Sequence, residues 1–401
     1  MTAIRAHVDI DVTAPPRVRR WQKASLIGGL VFTVLALIGF FTNSAQAMHS
    51  YLIGFMLCVG LALGPMVMLM VWHLTGGGWG VMVRRIFEAA TATLPLVALA
   101  FIPLVIGLHA NYAWSRPEEL VHAEEHARMM TQSYLRMSAF LFRGILYFLV
   151  WGVMAWFLLK WSREQDSPPD RVYGRMFRLV SGPGIVIYAW TMTFASVDWI
   201  MSLSFPWASS ILPFIFMVNE GMIGMALIVI VAQKLHRYPP MDGLLKSRHF
   251  HDYGKFLLMF TLLWGWFNFS QWLIIWAGNL PDEISWYFDR IKGGWEYIAF
   301  LIIIGQFVVP FCLLLSRPLK KDPNRLVWVA AWMFFMRYVD MVWWVEPTFH
   351  KMRFHYDWLD AIIPLAMLGW WMAYFFWQLQ RRPLLVLHDP HTSVELDKEH
   401  E

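Results

Sequence analysis

Residues 50–72 read SYLIGFMLCVGLALGPMVMLMVW, a run with no charged side chain anywhere in it. At a helical rise of about 1.5 Å per residue, such a run is as long as the hydrocarbon core of a bilayer is thick, about 30 Å. Its neighbours repeat the pattern. Apolar stretches of similar length fall near 22–42, 86–108, 139–160, 177–200, 209–233, 253–277, 295–315, 326–345 and 359–379, which predicts an all-α membrane protein of about ten transmembrane helices. Composition agrees: 58% of the 401 residues are hydrophobic, 15% are charged, and there are 24 Trp and 30 Phe, far more apolar than a domain that folds in water.

The connections set the domain organisation. Residues 22–379 read as one integral membrane domain flanked by tails 1–21 and 380–401, and the longest connections, 109–138, 161–176 and 234–252, are too short for cores of their own. The tail beyond Arg382, with His388-Asp389-Pro390-His391, reads as solvated or docked on a partner. The N-terminal tail, the second, fourth, sixth and eighth loops and the C-terminus, with the span ends that adjoin them, hold 24 of the 33 Lys and Arg. Positive charge is retained on the cytoplasmic side, so both termini are expected there. Ser44-Ala45-Gln46-Ala47 resembles a signal-peptidase site, but Ala24 to Phe41 is longer than a cleaved signal's core of about 7–15 residues, so an uncleaved anchor is expected.

No redox centre is expected inside the membrane. Haem is held on His and iron–sulfur clusters on several Cys, yet the middles of the spans contain no histidine, and Cys58 and Cys312 fall in different spans as small buried residues. His122-Ala123-Glu124-Glu125-His126 fits the H-x-x-E-H zinc-peptidase pattern. It shows neither a third ligand nor a pocket, and Pro117 to Met137 reads more simply as a charge-rich helix on the outer membrane surface. No metal site and no nucleic-acid partner are expected.

Ionisable residues within the spans carry the functional argument, because burying one in hydrocarbon is costly. They are Glu88 near the inner end of the third span, Glu220 at mid-depth in the sixth, Arg337 and Asp340 in the ninth and, nearer the outer face, Asp198, Glu296, Glu346 and Asp360. Arg337 and Asp340 are three apart and share a helix face, a pairing that packing alone would explain. Glu88 follows Arg84 and Arg85 by a turn, so an inner-surface salt bridge explains it too. Glu296 follows Gly293-Gly294 at a helix start, where a carboxylate suits the helix dipole. Glu220, beside Asn219, has no such partner and reads as a protonatable relay. His73 and His109 lie at helix ends on opposite faces, the ordinary place for surface histidines.

Several segments carry a family resemblance: Phe194 to Ile211, His251-Asp252-Tyr253-Gly254-Lys255, Asn268 through Asn279-Leu280-Pro281-Asp282-Glu283-Ile284 to Tyr287, Leu314 to Lys320, and Trp358 to Pro390. Together they make the chain similar to the shorter of the two NrfD-like (polysulfide-reductase-like) membrane subunits of alternative complex III, the bacterial quinol:cytochrome c oxidoreductase. The resemblance implies two four-helix bundles with peripheral helices, residence in the bacterial inner membrane, and assembly with a larger NrfD-like subunit, an iron–sulfur subunit and c-type cytochromes. It also implies that haem c and clusters sit in those partners while this chain meets lipid and quinone or quinol.

On that resemblance, Glu88 and His73 would take protons inward of centre, Glu220 with Arg337 and Asp340 would form the midplane, and Asp198 and Glu346 would lead outward. His109, Asp198 and Trp207 are the quinone-binding candidates. The chain departs from the pattern at Ser204-Phe205-Pro206-Trp207, where the resemblance implies Asp-Pro-His-Trp, and at Gln306, where it implies histidine. Two rival readings remain: a secondary transporter, for which Gly64-Pro65, Pro95 and Pro103 would break helices around a site, and an inert scaffold anchoring peripheral redox subunits.

Overall fold

The computed structural model describes residues 13–116, 133–166, 173–386, 389 and 392. Every regular element among these residues is helical, and ten helices are long and apolar enough to cross a membrane. In chain order they are α1 (Pro16–Thr42), α2 (Ser44–Thr75), α3 (Arg84–Ile106), α4 (Met137–Glu164), α5 (Gly174–Ser204), α6 (Leu212–Leu235), α7 (Ser247–Gly278), α8 (Trp295–Leu315), α9 (Pro323–Phe349) and α10 (Trp358–Gln380). Each apolar run of the sequence coincides with one of them, with ends that agree to within six residues. The chain is therefore an all-α, multi-pass membrane protein.

Packing divides the ten into two four-helix groups and a flanking pair. Helices α2 to α5 pack on one another, α6 to α9 do the same, and the two groups meet where α2 and α5 lie on α6 and α2 lies on α9. Helix α1 leans on α10, which in turn rests on α2. The division explains why α2 and α6 are buried along most of their length while α1 presents Ile27, Val31, Val34 and Ile38 outward. Helices α1 and α10 cross at glycines: a Cβ built on Gly369 would stand 2.6 Å from the Gly29 Cα. At the central seam, a Cβ on Gly64 of α2 would stand 1.9 Å from the Glu220 carbonyl oxygen of α6, so only glycine lets the two groups close.

Proline marks the irregularities, although not uniformly. Pro65 sits inside an unbroken α2, so the Gly64-Pro65 pair does not split that helix. Helix α3 is interrupted at Ala92 and Thr93, ahead of Pro95, and the Thr93 hydroxyl donates to the Ala90 carbonyl at 2.6 Å. Helix α8 widens into a π turn over Ile303–Val308. Pro310 explains this: it has no N–H for the Gln306 carbonyl and its ring crowds that oxygen. Trp332 Nε1 takes up the Gly305 carbonyl at 2.7 Å.

Helices α1 and α10 begin and end at one face, where Gln380 Nε2 donates to Gln22 Oε1 at 2.9 Å. The chain just beyond α10 differs from a solvated or partner-docked tail. Leu384, Leu385, Val386 and Asp389 are buried, and Asp389 pairs with Arg84 of this same chain at 2.5 Å. The His122 to His126 motif and His388, Pro390 and His391 lie outside the described residues.

Candidate functional site

Three of the span-buried candidates from the sequence meet at the seam between the two helix groups. Asp340, on α9, pairs with Arg337 one turn earlier. It also accepts from Asn219 Nδ2 of α6 at 3.3 Å. Beside Asn219, Glu220 accepts a hydrogen bond from the Tyr188 hydroxyl of α5, while its other oxygen, Oε1, is buried with no hydrogen-bond partner. Arg337 completes its surroundings over the Phe216 ring, 5.2 Å from the centroid. The group thus holds two carboxylates against one guanidinium, all buried. One carboxylate is matched, and the second has hydrogen-bonding capacity to spare.

Gln306 joins the group through the π turn. In one amide orientation its nitrogen donates to Asn219 Oδ1 at 3.2 Å. In the other its oxygen accepts from Trp264 Nε1 at 2.9 Å and its nitrogen donates to the Met336 carbonyl at 3.1 Å, which satisfies the Trp264 indole as well. The position where the resemblance implied histidine is occupied by a side chain that hydrogen-bonds without titrating.

A cavity of about 840 Å³ opens beside this group. Its walls come from α7 (Trp264, Trp266, Asn268, Phe269, Trp272, Trp276), the short helix Pro281–Phe288 (Tyr287), α8 (Ile303, Phe307) and α9 (Trp343), and Asp340 stands in its lining. Trp266 and Trp276 are exposed on the outer surface of α7, so the mouth lies on the side that faces lipid. Its size and its few polar groups suit an amphiphilic ring compound. A second cavity, about 460 Å³ between α1, α2, α3 and α10, is apolar apart from Thr33, Tyr51 and Cys58 and offers little headgroup chemistry.

The remaining predicted residues lie elsewhere. Glu88 is gripped by Arg84 Nε at 2.8 Å, Arg85 at 2.7 Å, the Ser162 hydroxyl at 2.6 Å and Arg382 at 3.3 Å. His73, at the same end, stacks on Phe177 with centroids 4.1 Å apart. Asp198 accepts a two-pronged bond from Arg143, 2.9 and 2.7 Å, and a third from the Tyr147 hydroxyl at 2.8 Å. His109 is exposed, with Nδ1 3.1 Å from Ser115 Oγ. Trp207 stacks on Trp286 at 4.4 Å. None of His109, Asp198 and Trp207 lines the large cavity. Glu296, at the start of α8, accepts from the Gly294 amide at 2.8 Å, a capping role.

Glu346 belongs to a separate buried cluster at the face opposite the termini. Gln46 Nε2 donates to Glu346 Oε1 at 3.2 Å and to Asp360 Oδ1 at 2.8 Å, and Ser50 also donates to Asp360. His49 and His350 complete it, the ligand atoms of His49, Glu346 and His350 all lying within 4.8 Å of one another. Sequence reading expected no metal-ligating set; it singled out Glu346 and Asp360 but not the two histidines beside Glu346. The members of the cluster come from distant parts of the chain, and the one local signal was Glu346 and His350 at a spacing of four. Arg143, Tyr188 and Arg290 also went unnoticed. Arg290 is buried among acceptors that are all uncharged: Ser204 Oγ at 3.3 Å, Thr348 Oγ1 at 2.8 Å and the carbonyls of Trp286 and Trp344 at 3.2 and 3.1 Å. Burial pushes its guanidinium down to about 9, against the opposing charge of Asp289.

No known family model matches this chain, and no curated protein matches it.

Proposed function

We propose that this chain is the membrane subunit of a respiratory quinol:electron-acceptor oxidoreductase of the bacterial inner membrane, with the face carrying the termini in the cytoplasm. It carries no redox centre of its own, and it binds a quinone or quinol in the cavity between α7, α8 and α9. The observation that carries this reading is the contact between two unlike environments: the aromatic, lipid-side cavity has Asp340 in its wall, and Asp340 accepts a hydrogen bond from Asn219, the residue beside Glu220. Oxidising a quinol releases two electrons and two protons. The electrons leave to an iron–sulfur partner, and the protons need acceptors at the headgroup. Asp340, Glu220 and the Tyr188 hydroxyl are positioned to exchange them across the seam.

The experiment is gentle detergent extraction followed by quinol oxidation assayed on the assembly obtained. A haem-coloured assembly whose quinol oxidation falls at least about tenfold in Asp340→Asn supports the reading. A colourless chain purified alone, or full activity in that variant, overturns it. The interruption of α3 at Ala92 and Thr93 favours a secondary transporter as a second reading, since discontinuous helices line transport sites. Uptake by the chain alone in proteoliposomes would establish that one.

A further inference from the structure

We propose that His49, Glu346 and His350 bind a divalent transition-metal ion of the zinc class at the face opposite the termini. The donor set is two imidazoles and one carboxylate, the combination that suits zinc with a further position left for water or another ligand. Glu346 and His350 stand one helical turn apart on the end of α9, and His49 comes from the start of α2. Their ligand atoms lie within 4.8 Å of one another. Tetrahedral bonds of about 2.0–2.1 Å hold ligands about 3.3 Å apart, so contraction by at most about 1.5 Å closes the site.

Two independent features mark it as a built site. His49 and Glu346 are 7% and 0% exposed, yet His49 Nδ1 and Glu346 Oε2 have no hydrogen-bond partner. Buried acceptors are left so only at a cost. The outer contacts also have the arrangement that orients ligands. His49 Nε2 faces the Ala110 carbonyl at 3.4 Å, which puts the ring proton there and leaves Nδ1 with its lone pair. Gln46 holds Glu346 by Oε1 and leaves Oε2, and its own Oε1 faces His350 Nε2 at 3.3 Å, which puts the ring proton there and leaves His350 Nδ1 with its lone pair.

An ion can enter from water, because the His350 side chain is 31% exposed and the His355 ring lies 4.0 Å from it. His355 and Asp360 are candidates for the fourth position. Once bound, the metal would staple α2 to α9, the helices on either side of the seam.

The test uses the full chain in detergent, stripped with chelator and dialysed against zinc chloride, with bound metal measured by mass spectrometry. One zinc per chain is expected. The pair His49→Ala and His350→Ala should weaken binding at least about tenfold, and Glu346→Gln should act in the same direction. His350→Ala alone changes a partly exposed residue and leaves the fold intact. Cobalt should give the intense visible bands of a four-coordinate site, lost in the same variants. The pair His122→Ala and His126→Ala should leave zinc binding unchanged. Absence of retained zinc, undiminished binding after loss of His49 and His350, or loss of zinc with His122 and His126, would overturn the proposal.

Discussion

Glu88 and Glu220 are both glutamates buried in the membrane domain, and their surroundings are opposites. Glu88 faces three arginines and a serine hydroxyl, and the tail behind α10 folds back so that Arg382 adds to the grip and Asp389 pairs with Arg84. Glu220 has one tyrosine hydroxyl and one vacant oxygen, with the nearest ion pair, Arg337 and Asp340, already closed on itself. A carboxylate whose acceptor positions are all filled, three of them by cations, is a fastener. One whose second oxygen is unpartnered keeps chemistry available, and the contrast separates structural charge from functional charge within one membrane domain.

The comparison can be broken most severely at the fastener. Glu88→Ala leaves Arg84, Arg85 and Arg382 buried beside one another with their common acceptor gone, and the expected loss is about 3–5 kcal/mol. Thermal melting in detergent should register it as a large fall in Tm together with poor recovery of folded chain. A Tm within a degree of the parent would mean that the arginines are satisfied without Glu88. The next effect is on activity. Glu220→Gln keeps the shape and the bond from Tyr188, so stability should change by less than about 1 kcal/mol. Quinol oxidation or coupled proton movement by the assembly should fall about 10²-fold. If Glu220→Gln instead melts as early as Glu88→Ala, both carboxylates are fasteners and the distinction disappears.

A third variant tests the seam that carries Glu220. In Gly64→Ala the new Cβ would sit 1.9 Å from the Glu220 carbonyl, a backbone atom that can yield only if α2 and α6 part. Overpacking of this kind costs about 1–3 kcal/mol. The same displacement should lower activity along with Tm, whereas Gly152→Ala on α4, where an added Cβ meets nothing within 4 Å, should leave both unchanged.

The fold was legible because lipid imposes its own period: each span is a run of uniform apolarity whose length is set by the bilayer, and ten such runs need no tertiary information to find. The Arg337 and Asp340 pair was legible for a similar reason, since a spacing of three fixes contact on a helix. The rest depends on contacts between helices. Tyr188 reaches Glu220 from 32 positions away, and Gln46 reaches Glu346 and Asp360 across 300 and 314. The aromatic cavity went unseen because Trp264, Trp266, Trp272 and Trp276 sit in a helix already rich in tryptophan, where nothing in the pattern tells a lipid-facing ring from one lining a cleft. Arg143 lies nearly two turns inside α4, and only the fold shows that it forks Asp198.

The smallest effect expected is a gain, and it lies at a position where the sequence departs from its resemblance. Arg290 is 1% exposed and has hydroxyls and carbonyls but no carboxylate within bonding reach among the described residues. Burial lowers its affinity for a proton, from the usual 12.5 to about 9. Between those values the folded chain binds fewer protons than the unfolded one, so stability rises with pH there, and at neutral pH the cost of the buried charge is present in full. Ser204 already touches Arg290 through Oγ at 3.3 Å. Ser204→Asp would set an anion against that guanidinium and turn a hydrogen bond to a neutral hydroxyl into an ion pair, worth about 1 kcal/mol more. Tm should rise by about 2–4 °C, and the gain should vanish in the background of Arg290→Met, where the new carboxylate has no cation to meet. An equal gain in both backgrounds would place its origin elsewhere than in the pair.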